Sequence, residues 1–121
     1  MVMPGLSSTD QSTFEEVADA TVACLLQSVP TAVAGIAFLS GGQSGILATA
    51  HLNAMHVRFQ SKLPWPLTFS FARAIQQPAL DIWHGNEASI KAAQKALYHR
   101  AKCNHAAASA EYSEAMECTL P

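Results

Sequence analysis

The fold of this 121-residue chain is decided by the stretch Ala34-Gly35-Ile36-Ala37-Phe38-Leu39-Ser40-Gly41-Gly42-Gln43-Ser44. Its first six residues form a continuous apolar run, which is typical of a strand buried on both sides, as the strands of parallel sheets are. The glycines that follow predict a tight loop. From about Gln43 to Met55 the apolar residues recur at helical spacing, with one stripe formed by Ile46, Leu47, Ala50 and Ala54. The sequence therefore predicts a strand, a glycine loop and a helix in succession.

A second unit of the same kind follows. Pro64-Trp65-Pro66 introduces the apolar run 67–71, which we interpret as a second strand, and residues 74–82 are predicted to form a short helix. Pro78 is tolerated in that helix only near its first turn or at a kink. A long alanine-rich helix is predicted from about Glu87 to Ala108, opened by Asn86 or Ser89, with a last helical turn at 112–116.

Another amphipathic helix precedes these two units. Ser12 and Glu15 have capping-box spacing, Pro30 marks the end, and the predicted apolar face carries Val17, Ala20, Cys24 and Leu25. Alternating helices and strands favour an α/β fold with a parallel sheet. Two strands leave both sheet edges open, so residues 1–121 are interpreted as one unit of a larger structure, with 109–121 as a flexible tail.

Composition excludes several classes of protein. Half of the residues are hydrophobic and the net charge is only −2, which excludes a disordered chain. The apolar runs are far shorter than the ~20 residues of a membrane-spanning helix. The seven Lys and Arg residues form no basic stripe, so neither nucleic acid nor a membrane is expected as a partner. The N-terminus has no signal-peptide pattern, and we expect a cytoplasmic protein.

Polar residues suited to phosphate follow both predicted strands. Ser40, Gly41 and Gly42 offer a hydroxyl and backbone N–H groups just before a helix N-terminus. Ser70 and Arg73 add a second hydroxyl and a guanidinium that can bind phosphate oxygens in pairs. Because parallel strands end at the same edge, these five residues are predicted to form one phosphate-binding site. In α/β barrels, that edge of the last two strands commonly binds phosphate.

Catalytic and metal-binding residues are not evident in the sequence. None of the four lysines lies in or directly after a predicted strand, and the acidic residues form no pair suited to acid–base chemistry. The three cysteines include no CxxC pair. His99 and Cys103, four residues apart, could share a helix face, but without further ligands we interpret them as polar residues on the surface of a helix rather than a metal site.

Four motifs in order resemble the C-terminal part of class I fructose-bisphosphate aldolase. They are residues 35–44, Leu52-Asn53-Ala54, residues 67–76 and Lys91-Ala92-Ala93-Gln94. The segment Phe71-Ala72-Arg73, together with residues 76–80, resembles the bacterial type of the family. Ala72 is a departure from the family pattern, since many members have glycine at this position. The resemblance covers the chain from Met1 to about Glu117.

The resemblance implies a (β/α)8 barrel of which this chain holds the last two strands with their flanking helices. It implies a lyase that cleaves fructose 1,6-bisphosphate through a lysine Schiff base, without a cofactor, in a homo-oligomer. Ser40, Gly41, Gly42, Ser70 and Arg73 would bind one phosphate of the bisphosphate or of a triose phosphate. Met1-Val2 is similar to the end of the family's Leu-Lys-Pro-Asn-Met-Val segment, so we expect a fragment that begins just after the lysine and is inactive alone.

Two other hypotheses stay open. The chain could be a non-catalytic half-barrel that binds sugar phosphates or pairs with another chain, supported by the retained Ser40-Gly41-Gly42 and Arg73. It could also be an unrelated small α/β domain in which the four motifs recur by chance.

Overall fold

The computed structural model describes residues 1–119, which form four α-helices and a two-stranded parallel sheet. The elements are α1 (Phe14–Ser28), β1 (Ile36–Phe38), α2 (Gly45–Phe59), β2 (Leu67–Phe69), α3 (Arg73–Trp83) and α4 (Ile90–Ala108). Short 3-10 turns lie at Gln60–Lys62, Glu87–Ser89 and Glu114–Cys118. The predicted α/β order and the parallel pairing of the strands are confirmed.

The two strands lie side by side and end at the same edge. Ile36 is opposite Leu67 and Phe38 opposite Phe69, and the Ser70 amide donates to the Phe38 carbonyl at 2.7 Å just beyond that register. The prediction that the first strand is buried on both sides is wrong. Phe38 is buried, but Leu39 is 71% exposed, because the described helices cover one face of the sheet.

The start of α1 differs by one residue from the predicted start. The capping box joins Thr13 and Glu16, not Ser12 and Glu15: the Thr13 hydroxyl accepts from the Glu16 amide at 3.2 Å, and the Glu16 carboxylate accepts from the Thr13 amide at 2.8 Å. Both pairs have the required spacing, so the sequence pattern alone does not choose between them.

The predicted inward faces of α1 and α2 are also wrong in part. The buried residues of α1 are Val17, Ala18, Thr21 and Val22, and those of α2 are Ala48, Thr49, His51, Leu52 and Met55. Ile46, predicted on the inner stripe, is 53% exposed. Polar residues take inward positions because they have hydrogen-bond partners there, as when the Thr49 hydroxyl donates to the Asn104 side chain at 2.9 Å.

The core lies around α2, which packs against α1 on one side and α4 on the other. Leu52 and Met55 of α2 are fully buried with Val22 of α1. Trp65, which precedes β2, is buried in the same cluster. The Trp65 indole donates to the Pro30 carbonyl at 2.9 Å and so ties the loop after α1 to the segment before β2. Among residues 1–119, no helix is both long and apolar enough to cross a membrane.

The C-terminal elements are shifted slightly from their predicted bounds. The second strand ends at Phe69 rather than Phe71, and the alanine-rich segment opens with the 3-10 turn Glu87–Ser89, capped by the Asn86 side chain, before α4 begins. The final turn spans Glu114–Cys118 instead of 112–116. Flexibility of the tail 109–121 stays a prediction, and its last two residues lie outside the described part of the chain.

Candidate phosphate-binding site

A cleft of about 490 Å³ opens where the two strands end. One wall is the loop before α2 with the first residue of α2, and the other is α3 from Arg73 to Asp81. The lining residues are Ser40, Gly42, Gln43, Ser44, Gly45, Arg73, Ala74, Gln77, Pro78 and Asp81. Ser40, Gly42 and Arg73, which the sequence placed at a phosphate site, therefore share one cleft. Gly41 lies on the same loop and Ser70 directly follows β2, but neither is among the described residues that line the cleft.

The loop between β1 and α2 depends on its two glycines. Gly41 has a φ of 61° and Gly42 a φ of 84°, in the left-handed region that glycine adopts at little cost. A Cβ added at Gly41 would meet no atom within 4 Å, so glycine is needed there for its backbone angles and not for space. The Gln43 amide donates to the Ser40 carbonyl at 3.2 Å and closes the turn.

The buried side chains of Gln43 and His51 hold this loop in place. The Gln43 side-chain amide donates to the Ser40 carbonyl at 2.7 Å, and its oxygen lies 2.6 Å from Nδ1 of His51. An amide oxygen only accepts, so Nδ1 of His51 is the donor. Burial lowers the pKa of His51, and the positive N-terminus at Met1 lowers it further, which favours the neutral ring. Gln43 is not among the predicted site residues, although its position directly after Ser40-Gly41-Gly42 is a usable signal.

Two helix N-termini border the cleft and make it attractive to an anion. Ser44 caps α2, and its hydroxyl accepts from the Leu47 amide at 3.2 Å. At the start of α3 the cap position is Ala72, whose side chain offers no hydrogen bond to the helix. The positive end of each helix dipole therefore lies at the cleft, beside the Arg73 guanidinium. The φ of Ala72 is −98°, a negative angle that does not require glycine.

The width of the cleft is set by a close contact between α2 and α3. A Cβ built on Gly45 would lie 2.4 Å from the Ala74 carbonyl oxygen, so only glycine fits against this backbone. Pro78, inside α3, has no N–H with which to bond that same carbonyl four residues earlier. Together, Gly45 and Pro78 let the backbones of the two helices approach each other.

The end of the cleft away from Arg73 carries a negative charge, that of Asp81. Asp81 lies two turns along α3 from Arg73, a distance of about 12 Å at 1.5 Å per residue. The Asp81 carboxylate accepts from the Gln77 side chain at 2.7 Å. Neither residue is among the predicted site residues, although their four- and eight-residue spacing from Arg73 places them on one face of a helix. An anion in this cleft is therefore favoured at the strand ends.

Comparison with known proteins identifies the family. Residues 1–119 match the sequence profile of the family described as glycolytic fructose-bisphosphate aldolase class-I. The chain belongs to this family. Fructose-bisphosphate aldolase 2 of Caenorhabditis elegans is 49% identical over 113 residues, which are 93% of this chain and 31% of that protein. A probable class 1 aldolase of Xylella fastidiosa is also 49% identical, over 89% of this chain and 32% of its own length.

About a third of a solved aldolase structure has a fold similar to that of this chain. The fructose-bisphosphate aldolase of Plasmodium falciparum, in complex with TRAP and a small-molecule inhibitor, matches with a TM-score of 0.84 and 37% identity. The match covers 90% of this chain and 31% of that chain. The predicted aldolase family is confirmed, and the chain spans about a third of the length of the aldolases that it matches.

Proposed function

We propose that this chain is the C-terminal part of a class I fructose-bisphosphate aldolase, the glycolytic lyase that cleaves fructose 1,6-bisphosphate into dihydroxyacetone phosphate and glyceraldehyde 3-phosphate. The family match over residues 1–119 supports this, as does the threefold greater length of the relatives. In this proposal β1 and β2 are the last two strands of a (β/α)8 barrel. The uncovered strand face, which exposes Ala37 and Leu39, then belongs to the interior of the complete barrel.

The substrate phosphate binds, in this proposal, between the loop before α2 and the start of α3. The observation that carries the proposal is the convergence of Arg73 and two helix N-termini on one cleft. Arg73 would bind two phosphate oxygens, while the Gly41 and Gly42 amides and the Ser40 hydroxyl donate to the others. Ser70 would complete the site from the end of β2.

The bond-breaking chemistry is assigned to residues outside this chain. A Schiff-base lysine needs a desolvated or cation-flanked pocket. The four lysines here are all exposed, with Lys62 in a 3-10 turn and Lys91, Lys95 and Lys102 on α4. The 121 residues alone are therefore expected to bind a sugar phosphate without cleaving it. For the complete enzyme we propose a cytoplasmic homo-oligomer that needs no cofactor and has no nucleic-acid or membrane partner.

Calorimetric titration of the chain with fructose 1,6-bisphosphate tests the phosphate site. A bidentate, charge-assisted contact contributes about 1.5–3 kcal/mol, so Arg73→Ala should weaken binding by roughly 10- to 100-fold. Arg58→Ala is the matched control, because Arg58 is exposed and pairs with Asp19 at 2.7 Å, away from the cleft. Equal weakening by both substitutions would mean that the ligand senses only net charge, and it would contradict the assignment to Arg73.

A coupled assay for triose phosphate measures the second part of the proposal. The chain should give no turnover at any concentration at which the calorimetric binding is saturated. Measurable cleavage by the original chain would contradict the assignment of the Schiff-base lysine to residues outside it.

The second candidate function is a non-catalytic half-barrel that associates with another chain. The observation in its favour is the open sheet, whose β1 is followed by the 71% exposed Leu39. Sedimentation of the purified chain over a range of concentrations tests it. Reversible self-association that is weakened by Leu39→Ser would support this candidate, while a monomer at all concentrations would oppose it.

A further inference from the structure

A buried polar cluster lies where the last 3-10 turn packs against α4. His99 and Cys103 are one helical turn apart on α4, and both are buried, so the prediction that they lie on the surface of the helix is wrong. Glu117, on the 3-10 turn Glu114–Cys118, brings its carboxylate to the same place. One donor atom from each of these three side chains lies within 4.8 Å of the other two.

The spacing of the donor atoms fits a tetrahedral metal ion. Nε2 of His99 lies 3.6 Å from Sγ of Cys103 and 3.5 Å from Oε2 of Glu117. For tetrahedral zinc, with Zn–N near 2.0–2.1 Å and Zn–S near 2.3 Å, ligand separations are about 3.6 Å for N···S and about 3.4 Å for N···O. Both separations measured from Nε2 of His99 therefore match those of a tetrahedral zinc site.

Two neighbours fix the Glu117 carboxylate in place. The Arg100 guanidinium donates to Oε2 at 2.6 Å, and the Tyr112 hydroxyl donates to Oε1 at 2.8 Å. Burial by itself would raise the pKa of Glu117, but the hydrogen bonds and charge from Arg100 and the bond from Tyr112 outweigh it and lower the pKa. Each carboxylate oxygen has two acceptor positions, so Oε2 can accept from Arg100 and still bind a metal. Such outer partners commonly orient the ligands of metal sites.

We propose that His99, Cys103 and Glu117 form a three-ligand site for a borderline-soft divalent cation, zinc above all. Nitrogen, sulfur and a single carboxylate favour zinc over magnesium or calcium, which take oxygen ligands. Binding converts the Cys103 thiol to a thiolate and releases its proton to solvent. The fourth position belongs to water, since a cavity of about 240 Å³ that includes His99 and Lys102 opens beside the cluster and provides an entry path.

The site would fasten the last turn of the chain to α4. Two of the ligands are on α4 and the third is 14 residues beyond Cys103, so a bound ion links the segments directly. Arg100 extends this link to the cleft, because its guanidinium also donates to the Gly45 carbonyl at 3.0 Å. Zinc binding should therefore raise the melting temperature of the chain.

Titration of the reduced chain with Co²⁺, which takes zinc sites and reports thiolate ligation by absorption, tests the proposal. We expect one equivalent of Co²⁺ to produce a sulfur-to-cobalt charge-transfer band. One equivalent of Zn²⁺ should then displace the cobalt and abolish the band. Cys103→Ser should abolish the band and His99→Gln should weaken cobalt binding at least 10-fold. Cys24→Ser is the matched control, since Cys24 is exposed and belongs to α1; this variant should behave like the original chain.

The outcomes separate a metal site from a structural hydrogen-bond network. A folded original chain without the band, or a band lost in Cys24→Ser and kept in Cys103→Ser, would overturn the proposal. If Cys103→Ser does not fold, His99→Gln and the spectrum of the original chain decide. A Zn²⁺-dependent rise in melting temperature that is absent in His99→Gln supports the site, and an equal rise in both chains opposes it.

Discussion

Replacing Gly45 by alanine tests the contact that sets the width of the cleft. The new Cβ would lie 2.4 Å from the Ala74 carbonyl oxygen and 3.2 Å from Nε of Arg100, whereas ordinary contact begins at 3.4 Å. The backbone of α3 must therefore move by about 1 Å relative to α2. The obstructing oxygen belongs to the backbone and cannot rotate away, as a side chain could.

The expected loss of stability follows from two opposed effects. Overpacking of this kind costs about 1–3 kcal/mol, and a fixed backbone obstacle favours the upper part of that range. Alanine in place of glycine in a helix gains at most about 1 kcal/mol. We therefore expect Gly45→Ala to lower the free energy of unfolding by about 1–2 kcal/mol, measured by urea denaturation, and to weaken binding of fructose 1,6-bisphosphate in the displaced cleft.

Gly5→Ala is the matched control for this substitution. A Cβ at Gly5 meets no atom within 4 Å, and its φ lies outside the left-handed region, so the change should be neutral or slightly stabilising. If Gly45→Ala is as stable as Gly5→Ala and binds the bisphosphate equally well, the close approach of the two helices does not define the cleft.

Three further predictions concern the core. His51 is protonated near pH 6.5 in the unfolded chain but only at lower pH in the folded chain, so stability should fall as the pH drops below about 6.5. His51→Asn should make the melting temperature depend less steeply on pH. Trp65→Phe removes the indole donor to Pro30 and leaves a smaller ring, and should cost about 1–3 kcal/mol by urea denaturation. Arg100→Met leaves the partly buried Glu117 carboxylate without its cation and should lower the free energy of unfolding by about 2–4 kcal/mol. Glu117→Gln should restore much of that loss in the double variant. If it restores nothing, Arg100 stabilises the chain through other contacts.

The order and pairing of the elements could be predicted because local signals decide them. An apolar run followed by glycines predicted β1, and an apolar run introduced by Pro64-Trp65-Pro66 predicted β2. Helical periodicity predicted all four helices within a few residues. The lining of the cleft was also predictable in part, since Ser40 and Arg73 follow successive strands that are parallel and adjacent.

The inward faces of the helices could not be read from apolar spacing, because long-range hydrogen bonds make polar residues suitable for the core. Thr49 bonds to Asn104, which is 55 residues away, and both are fully buried. His51 is buried because Gln43 accepts from its ring. Glu117, the third member of the cluster with His99 and Cys103, could not be predicted from spacing either, because only the turn after α4 brings it to the other two residues.

An NMR titration of the ¹⁵N-labelled chain with fructose 1,6-bisphosphate tests most directly whether the substrate phosphate binds in this cleft. We expect the largest amide shifts at Gly41, Gly42 and Arg73, with one common midpoint, and their loss in Arg73→Ala. Shifts confined to other parts of the chain, or shifts at the glycine loop that persist unchanged in Arg73→Ala, would contradict the assignment of the substrate phosphate to this cleft.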